Sequence, residues 1–367
     1  MLLGTYIRTR VQFPSSPRLS HVIQTWLFLF VIERQKNIHY SIINRRSSAP
    51  KPNFIFMMRR LVLFFLPILV WGCAQKTPNP EKAPVLKKFS FISRQELQKF
   101  LTWSEGRSPL VSAHRGGPVS GFPENCLATF ENTIKYTYAL IECDVRISKD
   151  GNLVMMHDKT LDRTTTGKGP VSDMLFADLK QLRLKDNDGK ITAYTIPTLD
   201  EVLVWAKGKT ILMLDIKEGV TQVMIMEALR RHEAFSYVVP ITYNASEAAS
   251  FIKLDSTLIL SCSIEKEEDY HRLIAYGVKP RNIVAFCGIS EPNKSLYQLL
   301  HAQNIFCQLG TMGNLDRKAV ARGDTVYYEL LNNGADVLST DRHVEAWSVI
   351  QHFLKDKKIS DPYITFP

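Results

Sequence analysis

The sequence lacks internal repeats, low-complexity tracts and C-x-x-C cysteine pairs. Hydrophobic residues make up 45% of its 367 positions and charged residues 22%, an ordinary globular composition that excludes the disordered and collagen-like classes. Because none of the six cysteines forms a C-x-x-C pair, a zinc cage is not expected. We expect the five cysteines after Cys73 to be buried free thiols, with a disulfide as the open alternative.

Acidic residues are almost absent from the first 60 positions, which concentrates the net charge of +10 there. Ten basic residues and one acidic residue give residues 1–60 a charge of +9, which leaves 36 basic against 35 acidic residues, or +1, for the rest. A nearly neutral domain offers no basic field to a phosphate backbone. We therefore expect no nucleic-acid partner.

No apolar run in the early sequence is long enough to cross a bilayer as a helix, but residues 57–72 have the pattern of a signal peptide. A charged start is followed by the apolar run 61–71 and by Gly72 and Cys73. This ending resembles a bacterial lipoprotein signal, in which the cysteine is lipidated and becomes the N-terminus. We expect lipidation of Cys73 and a lipid-anchored location in the bacterial cell envelope, outside the cytoplasm. An ordinary signal peptide or an uncleaved anchor is the alternative.

Composition divides the rest of the chain. Residues 1–56 do not have the composition of a domain, and our hypothesis is a misassigned start site, with translation from Met57 or Met58. A non-globular, membrane-associated leader is the alternative. Residues 73–92 contain several prolines and lysines and predict a tether. Residues 93–367 predict the folded domain, which begins with an amphipathic helix over 93–103.

From residue 110 onward, short β-rich runs alternate with helical patterns, which favours parallel strands joined by helical crossovers. Eight such strands in about 250 residues predict an α/β fold of the (β/α)8 TIM-barrel type. A doubly wound open sheet remains the alternative, because periodicity does not prove closure. The predicted strands are 110–113, 140–145, 211–216, 237–241, 257–261, 283–286, 305–308 and 336–339.

An additional strand, 153–157, follows the second strand after Asp150 and Gly151. A parallel crossover needs a dozen or more residues, whereas Asp-Gly is a strong hairpin signal. The pattern predicts a β-hairpin flap over the barrel mouth. Residues 161–197 then form an insert after strand two, beside that mouth.

Polar residues gather at the predicted strand ends, where a TIM barrel has its active site. Glu142 and Asp144 are two residues apart, so both point to the same face of a strand. They repel unless a cation lies between them, and Asp215 on the next barrel strand offers a third oxygen ligand. A solvated surface pair is the alternative, but the flanking residues are of buried types. We therefore predict a divalent-metal site.

His114 and His157 are the candidates for proton transfer, because unperturbed imidazole changes charge between about pH 5 and 8. A structural role is the alternative for each histidine. We expect His157 to be the acid, since the flap lies near where a leaving group would exit. Arg115 and Lys217 offer donors to nonbridging phosphate oxygens.

Several ordered motifs resemble the glycerophosphodiester phosphodiesterase signature. The likeness is detailed over about 110–217 and continues weakly to Asp341. The matching motifs are Ala-His-Arg-Gly at 113–116, Pro-Glu-Asn at 123–125, Ile-Glu-x-Asp-Val at 141–145, Lys-Asp-Gly at 149–151, His-Asp at 157–158, Leu-Asp-Arg-Thr-Thr-x-Gly at 161–167, Ile-Pro-Thr-Leu at 196–199 and Asp-Ile-Lys at 215–217.

The resemblance implies a TIM-barrel enzyme that hydrolyses glycerophosphodiesters, such as deacylated phospholipids, to glycerol 3-phosphate and an alcohol. It implies one divalent cation, Ca²⁺ or Mg²⁺, and a small-molecule substrate. The positions that match the metal ligands, the acid–base pair and the phosphate-binding cations are, in that order, Glu142, Asp144 and Asp215; His114 and His157; Arg115 and Lys217.

The sequence departs from the family pattern at two places. The third ligand is commonly glutamate but is Asp215 here, and residues 309–313 stand where the family commonly has a tryptophan-containing motif.

Two other functions remain as alternatives. One is a phospholipase D-like cleavage of lysophospholipid or sphingolipid, and the other is a non-catalytic envelope lipoprotein that binds a phosphorylated ligand.

Overall fold

The computed structural model describes residues 86–364, which form nine strands and eleven α-helices. The strands are β1 (Leu110–Ala113), β2 (Ala139–Ile147), β3 (Leu153–Met155), β4 (Leu212–Ile216), β5 (Val238–Thr242), β6 (Leu260–Ser263), β7 (Ile283–Phe286), β8 (Phe306–Gly310) and β9 (Val337–Thr340). The helices are α1 (Arg94–Phe100), α2 (Leu127–Tyr136), α3 (Phe176–Leu179), α4 (Leu199–Ala206), α5 (Gln222–Arg231), α6 (Ala245–Leu254), α7 (Glu267–Ala275), α8 (Lys294–Ala302), α9 (Asn314–Arg322), α10 (Thr325–Asn333) and α11 (His343–Lys357).

Eight of these strands form a closed parallel barrel. The hydrogen-bonded order is β1-β9-β8-β7-β6-β5-β4-β2, and β1 also pairs with β2, so the sheet has no open ends among these strands. Helices follow most strands and cover the outside, which is why the strand residues are almost all buried. The predicted (β/α)8 TIM barrel is confirmed, and the open-sheet alternative is wrong.

The largest difference between a predicted and an observed strand boundary is at the start of β6, and the other boundaries differ by at most two residues. β6 begins at Leu260, whereas the β-rich run begins at Thr257. The Asp255 carboxylate accepts hydrogen bonds from the backbone N–H and the hydroxyl of Thr257, at 2.9 and 2.7 Å. This local turn holds the first residues of the run outside the ladder.

The additional strand forms the predicted hairpin. β3 pairs antiparallel with the end of β2, with Val145 opposite Met155. Gly151 donates its N–H to the Ser148 carbonyl at 3.0 Å and has a φ of +86°, a conformation that favours glycine. The insert packs on this hairpin through a small apolar cluster that comprises Leu161, Val171, Leu179, Leu184 and Ile196 together with Cys126, Val154 and Met156.

The segment before α1 corrects a predicted boundary. Residues 86–92 fall within the predicted tether 73–92, yet Phe89 and Phe91 are 2% and 8% exposed. The Phe89 N–H donates to the Lys209 carbonyl, and the Phe89 and Phe91 rings lie 5.1 and 5.0 Å from the Phe100 ring. Two aromatic side chains therefore fix this segment to the domain. The predicted signal peptide, Cys73 and residues 1–56 lie outside the described residues.

Two further features of residues 86–364 are the state of the cysteines and the length of the helices. The five cysteines of this range are buried free thiols, as predicted, and they are Cys126, Cys143, Cys262, Cys287 and Cys307. Within the same range no helix has the length and apolar character needed to cross a membrane.

Candidate active site

Three carboxylates meet inside the barrel near the C-terminal ends of its strands. The parallel register of β2 and β4 places Asp144 beside Asp215, with Glu142 two residues earlier on the same face. Oxygens of Glu142, Asp144 and Asp215 all lie within 4.8 Å of one another, and the residues are 6%, 1% and 7% exposed. The structure thus brings together the three predicted metal ligands.

Burial and neighbouring charges shift the pKa values of Glu142 and Asp144 in opposite directions. Burial raises the pKa of Glu142 well above its ordinary value, and the neighbouring Asp144 raises it further. Burial opposes ionisation of Asp144 as well, but the Lys217 ammonium and the Asn125 amide outweigh it and lower the pKa of Asp144. Burial alone would lower the pKa of Lys217, yet Asp144 and Asp215 raise it above its ordinary value.

Lys217, the predicted phosphate donor, lies against the carboxylates. Its Nζ is 2.8 Å from Asp144 Oδ1 and 2.5 Å from Asp215 Oδ2. Asp215 Oδ1 is buried and has no hydrogen-bond partner among the described residues. Three clustered carboxylates, one of which keeps a buried oxygen without a hydrogen-bond partner, fit the donor set of a divalent cation such as Ca²⁺ or Mg²⁺.

His114 and Arg115 form a tight turn directly after β1. Arg115 has a φ of +51°, and this turn directs its backbone N–H to Glu142 Oε2 at 2.7 Å. The His114 ring lies with Nδ1 2.7 Å from Asp341 Oδ1, just beyond the end of β9. Burial alone would raise the pKa of Asp341, but the hydrogen bond with His114 lowers it. The turn therefore contributes to both the carboxylate cluster and a His–Asp pair.

His157 is held at both ring nitrogens. Its Nδ1 lies 2.7 Å from Asp158 Oδ1 and its Nε2 lies 2.9 Å from an Arg115 guanidinium nitrogen. A guanidinium only donates, so Nε2 accepts and the ring proton is on Nδ1, which donates to Asp158. The Arg146 guanidinium also donates twice to the His157 carbonyl, at 3.0 and 2.8 Å. The predicted acid–base candidates thus have defined orientations near the carboxylates.

Several residues without a predicted role support this cluster. The Asn125 amide donates to Asp144 Oδ2 at 2.7 Å and accepts from the Asp144 N–H at 2.8 Å. The Tyr243 hydroxyl donates to Asp215 Oδ2 at 2.7 Å. Asn125 lies in a recognised motif and Tyr243 directly follows the end of β5, so the motif was a usable signal for Asn125 and strand-end position for Tyr243.

Comparisons with known proteins place the site in context. A sequence profile of the glycerophosphoryl diester phosphodiesterase family matches residues 114–278. A glycerophosphodiester phosphodiesterase of Caldanaerobacter subterraneus subsp. tengcongensis is 32% identical over 187 residues, which are 47% of this chain and 75% of that relative. The range matched by the family profile contains the two candidate histidines, the three clustered carboxylates and Lys217.

Solved structures share the architecture. A glycerophosphoryl diester phosphodiesterase of Parabacteroides distasonis is 32% identical with a TM-score of 0.68, over 73% of this chain and 95% of that one. A phosphodiesterase of Oleispira antarctica, solved with the product sn-glycerol-3-phosphate, is 24% identical with a TM-score of 0.54, over 66% of this chain and 97% of that one. The second likeness concerns the fold alone.

Proposed function

Because this chain belongs to the glycerophosphodiester phosphodiesterase family, we propose that it hydrolyses glycerophosphodiesters to glycerol 3-phosphate and an alcohol. As a family member it is a phosphoric diester hydrolase. The observation that carries the proposal is the meeting of three buried carboxylates, two carboxylate-paired histidines and two cations near the C-terminal end of one barrel. A binding protein has no need of a proton-transfer pair, so this set favours catalysis.

The metal proposal rests on the carboxylate cluster. Glu142, Asp144 and Asp215 would hold one divalent cation, Ca²⁺ or Mg²⁺, and the unsatisfied Asp215 Oδ1 supports this assignment. Such an ion polarises phosphoryl oxygens and offsets charge that develops on them. The Arg115 N–H fixes Glu142, and the Asn125 amide fixes Asp144, so the ligands are oriented before any substrate arrives.

The Arg115 and Lys217 side chains would bind the phosphate of the substrate. The Arg115 guanidinium is 20% exposed and the Lys217 side chain 16%, so both are partly accessible beside the cluster. Their N–H groups would hold the nonbridging oxygens, and the negative charge that the phosphoryl group gains is stabilised there.

The contacts of the two histidines favour His157 as the base and His114 as the acid. Nε2 of His157 carries a lone pair, because it accepts from Arg115, and this form can take a proton from the nucleophile as a base. His114 has the Asp341 carboxylate as its partner. Asp158, the carboxylate partner of His157, is also paired with Arg163. The charge of Asp341 is thus less shared and better placed to stabilise a protonated His114 as the acid. This proposal reverses the expectation from the flap position.

We also propose that the enzyme is anchored in the cell envelope through Cys73, with residues 57–72 as a lipoprotein-type signal peptide and residues 1–56 outside the translated protein. Support comes from the charged start, the short apolar run and the cysteine that follows it. The barrel would then act on diesters outside the cytoplasm.

An assay of the purified protein tests the function. Glycerophosphocholine, lysophospholipid and sphingomyelin are offered separately, with Mg²⁺ or Ca²⁺ and with EDTA, and a His114→Ala/His157→Ala double variant serves as the blank. We expect cleavage of glycerophosphocholine alone, lost in EDTA and in the double variant. Cleavage of lysophospholipid or sphingomyelin in its place would support the phospholipase D-like alternative and contradict the proposal.

A further inference from the structure

An arginine of the insert contacts two carboxylates that are not part of the Glu142, Asp144 and Asp215 cluster. Arg163 Nε and one terminal nitrogen bind the two oxygens of Asp158, at 2.7 and 2.8 Å. Its terminal nitrogens also bind the two oxygens of Glu124, at 2.8 and 2.9 Å. One guanidinium therefore grips both carboxylates with two hydrogen bonds each, a geometry that a lysine cannot reproduce.

These contacts close a ring of side chains around His157. Glu124 also receives Arg115, at 3.1 and 3.3 Å, and Arg115 reaches His157 Nε2, while Asp158 binds His157 Nδ1. Each member has two partners in the ring. The five come from three separate places: the turn after β1 with its following loop, the end of the hairpin, and the insert.

Burial distinguishes this ring from an ordinary surface ion pair. Glu124 is 5% exposed, and a buried carboxylate without a partner is costly. The hydrogen bonds of Arg163 hold the pKa of Asp158 well below its ordinary value, and the pKa of Arg163 is raised in turn. An ion pair between two exposed side chains contributes little to stability. The pair between Arg163 and Glu124 differs, because it connects a buried charge to a histidine.

We propose that Arg163 is a positioning residue for the reaction, although it lies on the insert and need not touch the substrate. It orients His157 through Asp158. It also keeps Glu124 paired, so that Arg115 can turn from Glu124 and His157 to a phosphate oxygen without leaving a buried carboxylate alone. The inference rests on the proposed function, because it assigns a task to the histidine and the arginine of that site.

The test compares Arg163→Ala and Arg163→Lys with a matched control in the same insert. The control is Arg183→Ala, since Arg183 is exposed and, within residues 86–364, its guanidinium binds only the Ala193 carbonyl. With glycerophosphocholine, kcat should fall on the order of 10- to 100-fold in Arg163→Ala, the usual effect of removing a supporting partner. Arg163→Lys should show most of this loss, and Arg183→Ala should behave like the unmodified enzyme.

A double-mutant cycle separates positioning from simple stabilisation. In a His157→Ala background, Arg163→Ala should cost at least about threefold less than in the unmodified enzyme, because the histidine that it orients is gone and only its effect through Glu124 and Arg115 remains. A substitution that only loosened the domain would cost the same in both backgrounds. Thermal unfolding of each variant is measured alongside. If Arg163→Ala does not fold, the isosteric Glu124→Gln takes its place, with a loss of at least about tenfold expected in kcat.

The outcomes distinguish this inference from the proposed function. An unmodified enzyme without diesterase activity would overturn the proposed function itself. An active enzyme whose Arg163→Ala variant keeps kcat within about twofold, or loses activity equally in both backgrounds, would overturn the positioning role alone.

Discussion

At the scale of single residues, the site depends on how three buried negative charges are balanced. Lys217 contacts two of the carboxylates, while Asp215 Oδ1 has no partner within residues 86–364. One ammonium cannot compensate three ionised carboxylates, and this deficit of positive charge adds to burial, the larger cause, in raising the pKa of Glu142. A divalent cation would remove it.

Glu142→Gln and Asp144→Asn should therefore each lower diesterase activity by more than about tenfold, because each removes an ionised ligand at nearly constant shape. Titration calorimetry with Ca²⁺ and Mg²⁺ should show weaker metal binding in both variants. EDTA should abolish the activity of the unmodified enzyme, and added metal should restore it. Full activity after dialysis against EDTA would refute the metal assignment.

The two histidines can be distinguished by the leaving group. His114→Ala and His157→Ala should each lower kcat by about 10²- to 10⁴-fold on glycerophosphocholine. A p-nitrophenyl phosphodiester needs no proton on its leaving group, so His114→Ala should recover much of its rate there and His157→Ala should not. The opposite pattern would reverse the assignments. Loss of bound metal in both variants would instead make the histidines ligands.

At the scale of elements, most of the barrel could be predicted because buried parallel strands leave continuous apolar runs in the sequence. The hairpin could be predicted from Asp150 and Gly151. The bond between Glu124 and Arg163 could not, since they are 39 residues apart and nothing in either segment names the other as its partner. The grouping of two of the proposed metal ligands was easier to predict, because strand periodicity alone puts Glu142 and Asp144 on one face.

The segment before α1 shows where composition misleads. Prolines and lysines are frequent in the predicted tether before Lys88, so they indicated a tether up to residue 92. Phe89 is nevertheless buried against Phe100 and Tyr138, with ring centroids 5.1 and 5.5 Å away. A few aromatic side chains are enough to fix a segment whose average composition favours a linker.

Phe89→Ala should consequently lower the free energy of unfolding by about 3–5 kcal/mol, the usual cost of truncating a buried phenylalanine. Ile92, which is 90% exposed, provides the matched control, and Ile92→Ala should change stability by less than about 0.5 kcal/mol. Urea denaturation measures both. Equal stability of the two variants would mean that the segment does not pack as described.

At the scale of the whole molecule, the sequence divides into a basic N-terminal stretch and a nearly neutral remainder. The positive charge is concentrated in residues 1–60, whereas the remaining chain is nearly neutral. A neutral enzyme domain behind a lipidated N-terminus would meet small diesters by diffusion and has no electrostatic reason to bind nucleic acid.

Cys73→Ser should release the protein from the membrane fraction or leave its precursor unprocessed, because the proposed lipid attachment site is lost. Mass spectrometry of the unmodified protein should find an acylated Cys73 at the mature N-terminus and no peptide from residues 1–56. A mature N-terminus upstream of Met57 would contradict the start-site proposal, and an unmodified Cys73 within a membrane-bound chain would contradict the anchor.

Identification of the products of glycerophosphocholine hydrolysis by phosphorus NMR tests the central claim most directly. With the purified enzyme and Mg²⁺ or Ca²⁺, the substrate signal should be replaced by that of glycerol 3-phosphate as choline is released. Addition of EDTA should stop this conversion. The appearance of phosphocholine and free glycerol, or an unchanged substrate signal at high enzyme concentration with either metal, would contradict the account.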